Sequence, residues 1–343
     1  MLSRLWQWAR GDSKPAPQGT PSGIVPSAPP ALPPREEPFF TQLARELPLA
    51  AEILPEHEPQ ITDLVMQVVT FVTQKKLDPP VVPALVPRVL AIVGEPEVDL
   101  QRLTHVVQQD LAISAKLLSV ANSPLFGGGA DIKTVRQAIA HLGSEQVAQV
   151  AIGLACRSSM ESDKRDGVFA SRWQRLFQHG MTCALAAAQL TGKQDRAAQE
   201  AAFLGGLFHD VSKAVALRAV EALIDAGKLA LPAELVLDEA LQRIHAYPGD
   251  EFFQKWTLPE PLMQLCTQHH QLEELEGAPL TLYRVTLTSS FDALLSGTDA
   301  SRRDALHEAR ISAERLGLSD AALRAAYANT RALGDKATRM FGT

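Results

Sequence analysis

Apolar residues return at intervals of three and four along most of this chain, with polar positions between them. Phe40, Leu43, Leu47 and Leu49 precede Ile53, and then Ile61, Leu64, Val65, Val68 and Val72 form a helical stripe. Residues 68–72 are strand-type in composition, but the spacing of their flanks favours helix. Further stripes follow: Val89, Leu90 and Val93; Leu103, Val106 and Val107 after Asp99; Ile113, Leu117, Leu118 and Val120 up to Asn122. Thr134 is placed to cap a helix holding Val135, Ala138, Ile139 and Leu142, which Gly143 stops. Ser144 caps the next, with Val147, Val150, Ile152 and Leu154. A longer helix is expected from about Arg172 to Gln189, burying Trp173, Leu176, Phe177, Leu185 and Ala188. Helices are also expected over Pro279–Leu295, Ala305–Leu316 and Asp320–Leu333. Short loops between amphipathic helices predict an all-α, two-lobed bundle.

Residues 11–38 break the pattern. Nine prolines with Gly, Ser and Ala between them cannot pack a core and imply a disordered linker. Before it, Leu2, Leu5, Trp6 and Trp8 alternate with Arg4 and Arg10. Residues 1–10 are therefore either a locally docked amphipathic helix or a weak tether to a membrane or partner. The expected organisation is a leader (1–38), a helical extension (39–78), a two-lobed core (79–158 and 159–275) and C-terminal helices (276–343). Those last helices complete the second lobe, cover it or pair with another chain.

Composition narrows the function classes. The 343 residues are 46% hydrophobic and 21% charged, enough to fold a large core. A net charge of −6 and a pI near 5.9 suggest no nucleic-acid-binding surface. Cys156, Cys183 and Cys266 lack pairing motifs, which suits a reducing cytoplasm. No apolar run approaches the roughly 20 residues of a membrane span.

The candidate chemistry lies in the second half. An apolar run ends in His209-Asp210, whose nitrogen and oxygen donors can reach one divalent cation, and Lys213 follows one helical turn later. The bland alternative is a capping Asp beside a half-buried His. Around this pair the chain sets His179, His245, His269-His270 and Asp292, each on or near the end of an expected helix. Converging imidazoles and carboxylates in a helical core can hold a divalent ion such as Mn, Fe or Mg. In the first lobe, Asp110, Lys116, Asn122 and Ser123 stand out among apolar neighbours. They are either a partner-binding surface or caps and turn braces.

Two stretches carry a family resemblance. Gln109 to Ser123, with Asp110, Leu117 and Asn122-Ser123, resembles the "DPxLxxxxLxxxNS" signature of the HDOD family, with Leu111 in place of the proline. Ile132 to Gly143 is similar to its "I-x-S-V-x-x-A-I-x-x-L-G". Trp173, His179, Gly206 to Asp210, Trp256 to Pro259 and His269-His270 keep the family's order. The resemblance implies an all-α module in a bacterial signalling pathway, one for motility, cyclic di-GMP response or virulence. It implies action by binding a protein partner, with a nucleotide second messenger as a possible ligand, and no catalysis. The rival, implied by similarity to the wider HD phosphohydrolases, is a metal-dependent phosphodiesterase using His179, His209, Asp210 and Asp292. In that comparison His245 with His269 or His270 match the extra ligands of the HD-GYP branch, and Lys213 matches the lysine of "HDIGK". Three departures count against hydrolysis. Gln271 to Gly277 replaces the "HHE…DG.GYP" loop, Arg175 stands where that branch often has a bridging carboxylate, and Ser212 replaces a glycine.

Overall fold

The computed structural model describes residues 37–47, 52–74, 83–123, 131–160, 168–192, 195–246, 260–275 and 277–341. Every regular element among them is helical. The expectations for residues 1–36, the glycine turn at 127–129 and the 256–259 segment lie outside the described residues.

The extension forms α1 (Phe39–Glu46) and α2 (Glu58–Thr73). The first lobe follows with α3 (Leu85–Val93), α4 (Leu100–Gln108), α5 (Leu111–Ala121), α6 (Val135–Leu142) and α7 (Ser144–Met160). Local chemistry sets their ends. Asp99 Oδ1 accepts from the backbone N–H groups of Gln101 and Arg102, and Asp110 Oδ1 accepts from that of Ile113. Thr134 and Gln137 form a reciprocal capping box, and Gly143 ends α6 at φ +85°, a conformation that costs glycine little. Val89, Leu103, Leu117, Ala138 and Val147 are fully buried between these helices. Each of the four valine and leucine side chains contributes about 1.5–3 kcal/mol of burial.

The second lobe is built on α8 (Ala170–Thr191) and α9 (Arg196–Phe208). Small residues let the two backbones touch: a Cβ added at Gly206 would lie 2.5 Å from Ala184 N. Around this pair pack α10 (Val211–Asp225), α11 (Glu234–Ala246), α12 (Glu260–Gln268), a 3₁₀ turn at Leu272–Glu274, α13 (Leu280–Ser296), α14 (Asp299–Arg315) and α15 (Asp320–Phe341). The extension docks on this lobe. Helix α2 lies on α10 and α11, where Arg243 grips Glu58 through two N–H···O bonds of 2.5 and 2.8 Å. Helix α1 lies on α14 and α15, with the Phe39 ring edge-on to Phe291 and Tyr327.

Two C-terminal boundaries differ from expectation. Helix α14 begins at Asp299, six residues ahead of the expected Ala305, because Thr298 Oγ1 accepts from Ser301 N and starts the first turn there. Helix α15 runs past Gly334 to Phe341, whose ring is fully buried edge-on to Phe177. Of the placements left open for the tail, α15 packs on α8 and α13 and covers the second lobe. No helix among the described residues is long and apolar enough to cross a membrane.

Candidate metal centre

Seven helices deliver one cluster. Helix α8 carries His179 and, one turn later, Cys183. His209 caps the end of α9, and Asp210 joins it to α10, which carries Ser212 and Lys213. His245 stands near the end of α11, and His269-His270 follow α12 directly. Helix α13 brings Ser289 and Asp292, and α14 brings Glu308.

The five imidazoles share one orientation. Their outer nitrogens are held from behind. His209 Nδ1–H donates to the Gly206 carbonyl at 2.8 Å, and His269 Nδ1–H to that of Leu265 at 2.7 Å. His179 Nδ1 lies 2.7 Å from Asp292 Oδ2, His270 Nδ1 2.5 Å from Glu308 Oε1, and His245 Nδ1 3.1 Å from Ser212 Oγ. The network thus assigns the proton to Nδ1 and turns Nε2 inward. The inner nitrogens crowd together. His179 and His209 Nε2 are 3.1 Å apart, His245 and His269 Nε2 3.1 Å, and His245 and His270 Nε2 2.7 Å. Asp210 sits among them: Oδ1 is 2.8 Å from His245 Nε2 and 3.2 Å from His209 Nε2, and Oδ2 is 3.5 Å from His179 Nε2. Lys213 Nζ donates to Asp210 Oδ2 at 2.9 Å.

Burial sharpens the electrostatics. It pushes His209 down to about 4, against the weaker pull of Asp210. It likewise holds His245 and His269 well below the ordinary histidine range. Burial also works against His179, but Cys183 and Asp292 beside it prevail and hold it well above that range. Asp210 is held well below the usual carboxylate range, because His209, His245 and Lys213 outweigh its desolvation.

A divalent cation fits this donor set. Nε2 lone pairs facing one another at 2.7–3.1 Å repel unless a cation or proton lies between them. Asp210 Oδ1 is buried, and no donor hydrogen is aligned with it. Outer nitrogens fixed by carboxylates and carbonyls are the arrangement that orients imidazole ligands toward a metal. The centre opens on a cavity of about 470 Å³, whose wall includes His179, Asp210, Lys213, His245, His270 and Arg175.

Every residue singled out in the second half therefore reaches this cluster. Asp292 does so from behind His179, and the buried rings of His209 and His269 stand behind the cavity wall. The first-lobe residues do not reach it. Asp110 caps α5, and the Asn122 amide bridges Leu118 and Ile132. Lys116 is half-buried on α5, and Ser123 follows that helix. Sequence reasoning missed Cys183, Ser289 and Glu308. Two signals were present: Cys183 stands four residues after His179 on a helix, and Glu308 falls on a stripe with Ala305, Ala309 and Ser312.

A family model described as HDOD domain matches residues 80–272. An uncharacterized protein of Treponema pallidum is 26% identical over 200 residues, which cover 57% of this chain and 38% of that protein. The cyclic di-GMP phosphodiesterase CdgJ of Vibrio cholerae is 33% identical over 147 residues, covering 43% of this chain and 32% of that one. The chain thus spans about a third of the length of these curated relatives. Among solved structures, a candidate metal-dependent phosphohydrolase from Shewanella amazonensis superposes with a TM-score of 0.52 at 20% identity, covering 80% of this chain and 99% of that one. An HDOD domain protein with unknown function from Geobacter sulfurreducens gives 0.53 at 18%, covering 82% and 100%. At these identities the likeness establishes the fold.

Proposed function

The chain belongs to the HDOD domain family, and on that footing we propose that it is a signal-transduction module whose second lobe holds a divalent cation and senses a phosphate-bearing messenger without turning it over. A protein partner then reads the occupied state. The observation that carries this reading is the convergence of four Nε2 atoms on Asp210, with His270 Nε2 packed against that of His245 and each ring held from behind. A purely structural core has no use for so many inward lone pairs around a buried carboxylate. A bound cation supplies positive charge for an anionic oxygen. Arg175, half-exposed on the cavity wall, adds a guanidinium suited to a phosphate and repels a second cation. That residue and the missing glycine-rich loop support sensing over cleavage.

The runner-up is hydrolysis of a phosphodiester. It is favoured by the likeness to CdgJ and by a cavity that gives a ligand direct access to His179, Asp210 and Lys213. Calorimetry and product analysis with cyclic di-GMP and the metal-loaded chain separate the two readings. Saturable binding with the messenger recovered intact supports sensing. Steady product formation, lost in His209→Ala, would establish the hydrolase. No binding and no product would remove the messenger from the account.

A further inference from the structure

Resting on the metal reading above, we propose that Cys183 is a sulfur ligand of this centre, making its α8 side a Cys-His-His pocket selective for borderline cations such as Zn²⁺, Fe²⁺ or Co²⁺ over Mg²⁺. The order of histidines and aspartates read from the sequence contains no sulfur. Cys183 follows His179 by one helical turn and shares its face of α8. Its Sγ lies 3.7 Å from His179 Nε2, which is 3.1 Å from His209 Nε2. One donor atom from each residue fits within a sphere of mutual distances under 4.8 Å.

Bond lengths decide whether one ion can serve all three. With Zn–S about 2.3 Å and Zn–N about 2.05 Å, tetrahedral angles place sulfur roughly 3.5 Å from nitrogen and the two nitrogens roughly 3.3 Å apart. The observed 3.7 and 3.1 Å differ from these by about the tolerance of a metal site, and because Sγ is also 3.9 Å from His179 Nδ1, ligation requires the imidazole to turn its Nε2 toward the sulfur. A fourth donor is at hand in Asp210, whose buried Oδ1 has no aligned donor and lies 3.2 Å from His209 Nε2. Cys183 itself is fully buried, so an external thiol reagent or disulfide partner has no path to it. Ligation forms one metal–sulfur bond and releases the thiol proton to solvent. Thiolate donors favour softer metals, whereas Mg²⁺ prefers oxygen.

Cobalt tests this without relying on activity. The full chain, stripped with chelator, is titrated with Co²⁺ and followed by absorption. The expected result is an intense near-ultraviolet thiolate-to-cobalt band. It should vanish in Cys183→Ser, with Co²⁺ affinity falling at least about tenfold, and persist when Cys156 and Cys266 are both replaced by Ser. That double variant keeps Cys183 as the lone thiol, so it decides the matter even if Cys183→Ser folds poorly. Weak visible cobalt bands without the near-ultraviolet band would overturn sulfur ligation and leave the metal centre standing. A band that survives in Cys183→Ser would do the same. Failure of the full chain to bind Co²⁺ at all would overturn both.

Discussion

Gly206→Ala tests the link between helix packing and the centre. A Cβ at this position would lie 2.5 Å from Ala184 N and 2.6 Å from Ala184 Cα and the Cys183 carbonyl carbon. These are backbone atoms of α8 and cannot rotate away. Ordinary contact begins near 3.4 Å, so α8 and α9 must part by about 0.9 Å. Alanine favours an isolated helix over glycine by about 1 kcal/mol. Overpacking of a close-packed core costs about 1–3 kcal/mol. With a clash against backbone atoms the cost should win, leaving the variant up to about 2 kcal/mol less stable. The same shift moves His209, three residues on, away from His179 and should weaken metal binding about tenfold. Gly334→Ala is the control. It sits in α15, and its Cβ would meet Asp292 and Thr182 at an ordinary 3.6 Å. That variant should gain up to about 1 kcal/mol. Urea unfolding of the three metal-free proteins and metal titration of each provide the readouts. A Gly206→Ala chain as stable as the parent, with unchanged metal affinity, refutes the reasoning.

Other consequences follow from the same geometry. Glu308→Gln weakens the acceptor behind His270 and should cost about 10–100-fold in metal affinity while the helical circular dichroism is kept; an unchanged affinity would show that His270 is not a ligand. The metal-free chain should lose stability as pH falls from about 6.5 to about 4. His209 drops from 6.5 unfolded to about 4 folded, so its stabilisation is complete above the unfolded value and lost on the way down. That group alone accounts for roughly 3 kcal/mol, and His245 and His269, shifted the same way, add to it. His179, shifted upward, contributes in the opposite sense: its stabilisation is present below 6.5 and is lost only as pH rises through its folded value. Urea midpoints that stay level across this window would contradict the buried neutral histidines.

Much of this fold is written in local chemistry. Asp99, Asp110 and Thr134 cap the helices that follow them, and Gly143 stops one, because each acts on a backbone within three or four residues. The histidine order was equally legible, since every ring but that of His179, which stands inside α8, sits at or near a helix end. What was hidden depends on partners far along the chain. Glu308 meets His270 across 38 residues, and Ser289 meets His179 across 110. Neither leaves a periodic trace beyond a polar residue on an apolar stripe. The helix expected over Asp320–Leu333 ends before Gly334, yet α15 continues through it to Phe341. Burial of Phe341 repays the glycine, and the missing side chain leaves room beside Thr182 and Asp292. The docking of α2 on α10 and α11 through Glu58 and Arg243 was likewise beyond sequence reach.

The most direct test of the central claim is the metal content of the full chain. It is purified without chelator, measured by plasma mass spectrometry, and compared with Asp210→Asn, which keeps the side-chain shape and removes the charge at the middle of the imidazoles. The account predicts stoichiometric first-row divalent metal in the parent and its loss in the variant. A parent chain that is metal-free and takes up no Zn²⁺, Fe²⁺ or Mn²⁺, or equal metal in both proteins, would contradict it.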